Sequence, residues 1–498
     1  MANRSGQPGF GLAGPARPES APGWRACHPA RRGTRGRVRS SRICFTKRRT
    51  YPGVDLARVS TWLIACLTLL CCSVHAQLVT LEIGSSPNPV GSGARAMGQG
   101  NAFIAVADDA TAASWNPGGL TRLERPEFSF ALDALARDES LCSKSHPESN
   151  TTDDLELADF NYASVVVPVY WGRPMVLSLS YIKQYSFDKS ALFPYALDVA
   201  GTDLALVHEL EQEGAFAAIT PAFAIRATPR LSLGIAANFW DHGLTQSSSY
   251  HSTERSDGTL SVVFPFPIGR LQSRFIHVVE HEYEVTHGCS LALGAFFRAT
   301  RHWTLGAVAK PPFDLTLEHT SLDWYNQFGP AGGTPGPQIN RARRRATLRF
   351  PWILGAGAAW RPADPLTLSL DATWTQWSEY AFEENGRDTN PLTGQAVSQS
   401  ELDDTFTCRF GAEYLLIGEK YIVPLRCGTS YDPAPGVDET DHFYTFSLGT
   451  GFQTGRWNLD VAYEFRWGND VNAASLGTVD ATQDVHQHRV LVSLIVYL

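Results

Sequence analysis

The chain has 498 residues, a formal net charge of −8, 43% hydrophobic residues and only 18% charged ones, against about 25% in an ordinary soluble domain. A mean hydropathy of −0.16 excludes a bundle of transmembrane helices, each of which needs about 20 consecutive apolar residues. Aromatic residues at 11%, among them 13 tryptophans, exclude a disordered chain and leave a β-rich soluble protein or a transmembrane β-barrel.

The charge is unevenly spread. Residues 1–76 hold 13 Lys and Arg against 2 Asp and Glu, whereas the remainder holds 29 against 48. Residues 1–57, rich in Arg, Gly and Pro without apolar periodicity, read as a basic non-structural extension ahead of a true start expected near Val54. Residues 58–76 read as a signal peptide: Arg58, the apolar run STWLIACLTLLCCSV, then Val74-His75-Ala76 with a small residue at the cut. A rival lipoprotein-like site, Leu63-Ile64-Ala65-Cys66, follows too short an apolar stretch. The acidic remainder argues against a nucleic-acid partner. Only Cys142, Cys289, Cys408 and Cys427 lie after residue 76, which gives neither a disulfide framework nor a CxxC metal knuckle.

Residues 77–124 have a different texture, small-residue-rich and poorly periodic. A short helix is expected from Asp108 to Ala113, capped by Asp108 and Asp109 and stopped by Asn116-Pro117-Gly118-Gly119. Such a segment is too small for a domain and the right size to fill a barrel lumen as a hatch.

From residue 125 to 498 the pattern is period two, the mark of strands with one face in an apolar medium. The clearest run sets Trp457, Leu459, Val461, Tyr463, Phe465 and Trp467 against Asn458, Asp460, Ala462, Glu464 and Arg466. Similar runs cover 366–375 and 405–416, and Val490, Val492, Leu494, Val496 and Leu498 share the last. Strands are expected to start near 126, 159, 174, 217, 230, 286, 302, 344, 366, 404, 420, 442, 456 and 485. Short gaps near 172, 228, 300, 363, 418 and 455 alternate with long ones at 138–158, 187–216, 243–285, 313–343, 379–403, 432–441 and 468–484. This alternation predicts an all-β, antiparallel transmembrane barrel of about fourteen strands, with short periplasmic turns, long external loops and a polar lumen. Trp303, Trp374, Trp457, Trp467, Tyr421, Tyr431 and Tyr497 fit aromatic girdles, and the terminal HRVLVSLIVYL looks like the signal read by barrel-assembly machinery.

The hatch segment resembles that of the FadL/TodX family of outer-membrane transporters. The residues that carry the resemblance are Gly93-Ala94-Arg95-Ala96-Met97-Gly98, Ala102 to Ala110, Trp115-Asn116-Pro117 and Leu120. Further family-like blocks are Lys310-Pro311-Pro312-Phe313, Leu370-Asp371 with Trp374 to Ser378, and Leu425-Arg426 with Gly428 and Tyr431 to Pro435. The resemblance implies a fourteen-stranded barrel in the outer membrane, plugged by its N-terminus, that takes up hydrophobic compounds such as long-chain fatty acids or aromatic hydrocarbons. A related PorV-like branch acts instead as a secretion or assembly partner.

Lipopolysaccharide is charged and hydrated, so uptake needs an apolar landing surface outside the membrane. Loop 243–285 offers Val262, Phe264, Phe266 and Ile268, and loop 313–343 offers Leu315, Leu317, Leu322, Trp324, Tyr325 and Phe328. A ligand carboxylate would need a cation in the lumen, where Arg409, Arg426, Arg466 and Arg489 are candidates, unless paired internally as Arg466 with Glu464. In the hatch, Arg95, Asp108 and Asp109 are expected to pair with wall charges, and Asn116 and Pro117 to fix an end that moves. A turn centred between Ile417 and Gly418 would set Cys408 opposite Cys427, as a cross-strand disulfide or as two small apolar residues in lipid. No metal or cofactor is expected, and no enzyme: His277-Val278-Val279-Glu280-His281 is not a zincin motif, and no GxSxG, P-loop or Rossmann fingerprint occurs.

Overall fold

The computed structural model describes residues 92–498 apart from 200–201, 265–268, 330–335, 393, 401, 436–439 and 474–480. The expected extension, the signal peptide and the first part of the hatch lie outside the described residues. Among the described residues all twenty strands, numbered β1–β20 in chain order, belong to one antiparallel sheet.

Fourteen of them close a ring. They are β1 (Glu127–Ser143), β2 (Thr151–Tyr170), β3 (Pro174–Ser186), β5 (Thr202–Arg226), β6 (Leu231–Trp240), β8 (Gly269–Arg298) and β9 (Trp303–Lys310). Then come β12 (Ile353–Ala363), β13 (Leu366–Thr375), β16 (Thr405–Ile417), β17 (Ile422–Tyr431), β18 (Phe443–Gln453), β19 (Trp457–Asn472) and β20 (Ala481–Tyr497). Each pairs with the next, and β20 returns to β1 in continuous register from Glu127↔Tyr497 to Ser143↔Ala481. Closure leaves no ring edge unpaired at membrane depth, where an unsatisfied backbone group would cost several kcal/mol. Every one of the six expected short turns is present.

The alternation sorts the two faces as expected. Leu177, Leu179, Leu293, Leu370, Phe406, Phe410 and Leu448 stand exposed on the outside. Ser164, Asn238, Thr373, Arg409, Glu413, Arg426, Asp460 and Glu464 are buried on the inside. Aromatic stacks gather at both rims: Trp303 on Trp360 and Tyr421–Phe452–Trp457 at the short-turn end, Tyr431–Tyr444–Trp467 at the other. These are the interfacial girdles of a barrel in lipid.

The long connections differ from the expected loops. Those at 187–216, 243–285 and 313–343 are β-hairpins that carry the wall far beyond the ring. The upper part of β5 pairs with β4 (Lys189–Val199) and β7 (Ser249–Phe264), and the upper part of β8 pairs with β7 and β10 (Phe313–Phe328). β10 pairs with β11 (Gln338–Phe350), β11 with β14 (Ala381–Glu384), and β14 with β15 (Arg387–Thr389). These strands form a collar. The strand expected from 344 therefore belongs to the collar, and the ring strand is β12. The junction is written in proline: Pro311-Pro312 separates β9 from β10 and Pro351 separates β11 from β12, removing ladder donors where the partners change. Exposed ion pairs on the collar (Arg270–Asp203 at 2.6 Å and Arg274–Asp257 at 2.6 Å) fit a wall standing in water.

Candidate functional site

The described part of the hatch lies inside the ring. It comprises α1 (Ala94–Gly98), α2 (Ala112–Trp115) and a 3-10 turn over Pro117–Arg122, nearly all buried. The helix expected from Asp108 starts later, at Ala112, because the Asp109 carboxylate accepts from the Thr111 amide (2.9 Å) and hydroxyl (2.6 Å) and holds a turn instead. The stop at Asn116-Pro117 is where expected.

Backbone and side-chain bonds tie this segment around the whole ring. The Ala94 amide donates to Ser493 (3.2 Å), Gly100 to Ser447 (2.9 Å) and Ile104 to Asp371 (2.7 Å). Asn101 donates to Glu464 (3.0 Å), and the Tyr162 hydroxyl to the Ala110 carbonyl (2.7 Å). The Asn116 side chain donates to the carbonyls of Ile104 and of Ala295 in β8, both at 2.9 Å, while its oxygen accepts from Gly118 (3.1 Å). Close approach explains the wall glycines here: a Cβ on Gly294 would meet the Asn116 oxygen at 2.3 Å, and one on Gly234 the Pro117 carbonyl carbon at 2.3 Å.

Arg95 bonds Asp108 at 2.6 Å, lies 3.6 Å from Asp109, and reaches the wall through Glu413 at 3.0 Å. The two aspartates therefore neutralise Arg95 within the hatch, and Glu413 is the wall partner. Arg426 completes the network, bridging Glu413 and Asp460 at 2.7 Å each. Arg489 forks onto Asp133. Arg409 lies 3.7 Å from Asp432 and donates to Thr373 at 3.3 Å. Arg466 does not bridge to Glu464. Its guanidinium sits 3.6 Å over the Phe443 ring, with Nε and one terminal nitrogen buried and unpartnered. Asp133, Asp159, Arg409, Arg466 and Arg489 share one hollow with Trp115 of the hatch.

Where ring meets collar, the inside becomes aromatic. Tyr185, Phe216, Trp240, Tyr250, Tyr283, Phe350, Trp377 and Tyr380 form one buried cluster with Leu315, Leu317 and Leu348. Phe313 stacks on Phe350 at 4.8 Å and 3°, and on Trp240 at 5.8 Å. Leu315 and Leu317, expected on the landing surface, are thus fully buried in this neck. Leu322, Trp324 and Tyr325 are half-buried in the collar wall, Val262 lies near the tip of the β7/β8 hairpin, and Phe328 is exposed. The Phe264 side chain, and Phe266 and Ile268 entirely, lie outside the described residues.

Sequence reasoning missed Lys310. It ends β9 on the inward series, three residues before Phe313, and is 9% exposed; among the described residues its ammonium has no hydrogen-bond partner, and Arg409 is its cationic neighbour. The signal was present in the Lys310-Pro311-Pro312-Phe313 block, where a lysine closes an otherwise apolar strand. In the collar the sequence singled out His281 but not its partners: His281 and His319 share a 2.9 Å hydrogen bond, His319 contacts Glu384 at 2.5 Å, and Arg344 holds the other Glu384 oxygen at 3.1 Å. Burial, and then His319, holds the His281 imidazole down to about 4.

Cys408 and Cys427 are free thiols on the outward face. The four-residue turn 418–421 is centred two residues later than expected, so Cys408 faces Tyr431 and Cys427 faces Ala412. That offset forbids the disulfide.

A closed fourteen-stranded barrel with a lipid-facing apolar belt, a charged lumen and its own N-terminal segment as plug is an outer-membrane channel. The family profile described as outer membrane protein transport protein (OMPP1/FadL/TodX) matches residues 88–495, and the chain belongs to that family. Among solved structures, the fold is similar to a Pseudomonas aeruginosa FadL homologue, at 16% identity and TM-score 0.50, over 84% of this chain and 99% of that one. It is also similar to the Pseudomonas putida toluene transporter TodX, at 14% identity and TM-score 0.50, over 85% and 100%. At such identities these likenesses speak to fold alone. No curated protein matches the sequence. The protein is thus a transport barrel of the outer membrane, with its short turns on the periplasmic side and its collar outside.

Proposed function

We propose that the barrel takes up hydrophobic compounds passively, and that its preferred ligands carry a carboxylate, as long-chain fatty acids do. One observation carries this reading: a buried Lys310 ammonium, without a hydrogen-bond partner among the described residues, three residues along the chain from Phe313 of the aromatic neck. An isolated buried cation is costly unless an anion joins it. A carboxylate on Lys310 with its tail among Phe313, Phe350 and Trp240 satisfies both requirements, and Arg409 adds a second positive charge. Neutral aromatic hydrocarbons fit the neck without the lysine, and the fold shared with a toluene transporter supports keeping them as the comparison substrate. Capture begins on the collar, where Phe328 and Val263 are exposed. Arg341, Arg343 and Arg345 on one face of β11 are suited to contact lipopolysaccharide phosphates. Release requires Asn116 and Arg95 of the hatch to part from their wall partners, Ala295 and Glu413.

The test is uptake of labelled oleate and toluene by cells lacking their own transporter. Expression is expected to raise oleate uptake, and Lys310→Met to cut that gain about tenfold while leaving any toluene uptake unchanged. No gain for either compound, with the barrel correctly inserted, overturns transport. An equal loss for both overturns the assignment to Lys310.

A further inference from the structure

The inside of the periplasmic mouth carries charge that the protein does not neutralise. A cavity of about 580 Å³ opens there, bounded by Ala105, Val106 and Asp108 of the hatch. Five arginines line it: Arg122 at the end of the hatch, Arg230 and Arg301 in two short turns, Arg298 at the end of β8 and Arg361 in β12. Arg298 and Arg361 follow the buried Phe296 and Ala359 on the inward series, so they face the mouth and not the lipid. Their hydrogen bonds go to neutral groups: Arg298 to the Pro229 carbonyl at 3.0 Å, Arg301 to the His302 ring at 2.8 Å, Arg361 to the Thr367 hydroxyl at 3.3 Å. Among the described residues none of the five is in an ion pair. The one carboxylate on the lining, Asp108, is held by Arg95 at 2.6 Å.

We propose that this mouth is an oxyanion-binding site, taking the carboxylate or phosphate group of a small molecule or amphiphile. Guanidinium forks match such groups in pairs, and five like charges around one hollow raise the local concentration of anions. The hatch residues on its boundary put a bound oxyanion in direct contact with the plug. The site does not depend on what the lumen carries. A lipid headgroup and a soluble anion share this chemistry, and the inward aim of Arg298 and Arg361 favours the soluble or transported one.

The experiment is titration calorimetry on the full barrel in phosphatidylcholine nanodiscs, using inorganic phosphate and decanoate, with decanol as the neutral control. It is run in the Lys310→Met background so that the lumen lysine does not contribute. Phosphate or decanoate is expected to bind and decanol not to. Affinity should fall at least tenfold in Arg298→Gln/Arg361→Gln, and fall again as NaCl is raised. Binding to decanoate without phosphate identifies the transported amphiphile as the source. Loss of phosphate binding in phosphatidylglycerol nanodiscs identifies a headgroup instead, and supports the site. Binding that survives the double substitution, or that chloride matches at equal concentration, means an adventitious ion only and overturns the proposal. Faster migration of the unheated than of the boiled sample verifies that each variant is folded, and Arg122→Gln provides a second variant on the hatch rather than on a ring strand.

Discussion

Lys310 and Arg426 carry the same charge inside the same barrel with opposite consequences. Arg426 has two carboxylates at 2.7 Å, and through Glu413 it shares the hatch cation Arg95. Removing one partner of a buried ionic network strands the others, typically at about 3 kcal/mol or more. Arg426→Met is therefore expected to lower the stability of the folded barrel by that order, read as a shift of the denaturant midpoint. Lys310→Met removes a buried charge that has no partner, and the same measurement should show no loss or a small gain. A shift of equal size in both variants would contradict this division. The inward placement of Arg409, Arg426 and Arg489 was legible because alternation assigns faces directly. Their partners were not legible, because they come from strands and hatch residues remote in sequence. Lys310 escaped for a related reason: a lysine at a strand end reads as a rim charge until the collar is known to continue above it.

At the level of elements, the hatch is held mostly by its backbone, and the wall admits it by lacking side chains. Gly294→Val places carbon atoms where the Asn116 oxygen now lies. The expected outcome is a displaced hatch in an intact ring: heat-dependent migration is retained, while conductance in planar bilayers rises well above the parent. Unchanged conductance would mean that the seat yields without moving the plug. The collar has its own sensitivity. His281 is held near 4 in the folded state against an ordinary value near 6.5, so the unfolded collar binds the extra proton between those values. Stability from this group is fully present above about pH 6.5 and is lost as pH falls toward 4. The unfolding temperature should drop between pH 7.5 and 5, and less so in His281→Phe; identical drops would remove His281 as the cause. His319, Glu384, Asp323 and Arg344 face the same ring, so the difference between variants is the informative quantity. The collar was not legible as such because its strands share the period of the ring strands. Only the pairing separates them, and the prolines at 311, 312 and 351 were the local hint.

For the molecule as a whole, the ring depends on its last strand. β20 pairs with both β19 and β1, and the Leu498 amide donates to the Pro126 carbonyl at 2.9 Å. Deleting 494–498 removes the rungs that oppose Glu127 to Phe130 and opens a barrel edge in lipid. The chain is expected to lose its heat-modifiable form and to accumulate unassembled; normal migration would show that closure tolerates the loss. Thirteen of the fourteen ring strands and the six tight turns were readable in advance because both signals are local, a period of two and a gap of a few residues. Hairpin height was not, because a strand in water and a strand in lipid alternate alike.

That height has a consequence of its own. β8 runs for 30 residues, on the order of 100 Å of extended chain, whereas crossing the bilayer takes about 9–11 residues. Most of that strand stands clear of the hydrocarbon, so the barrel is topped by a chimney whose opening lies well above the lipid. An oily solute arriving from outside meets protein before it meets acyl chains, and its first choice is between this tower and the surrounding sugar. Trimming β7/β8 and β10/β11 in step would lower the rim without touching the girdles, which makes chimney height a quantity that can be tuned separately from anchoring.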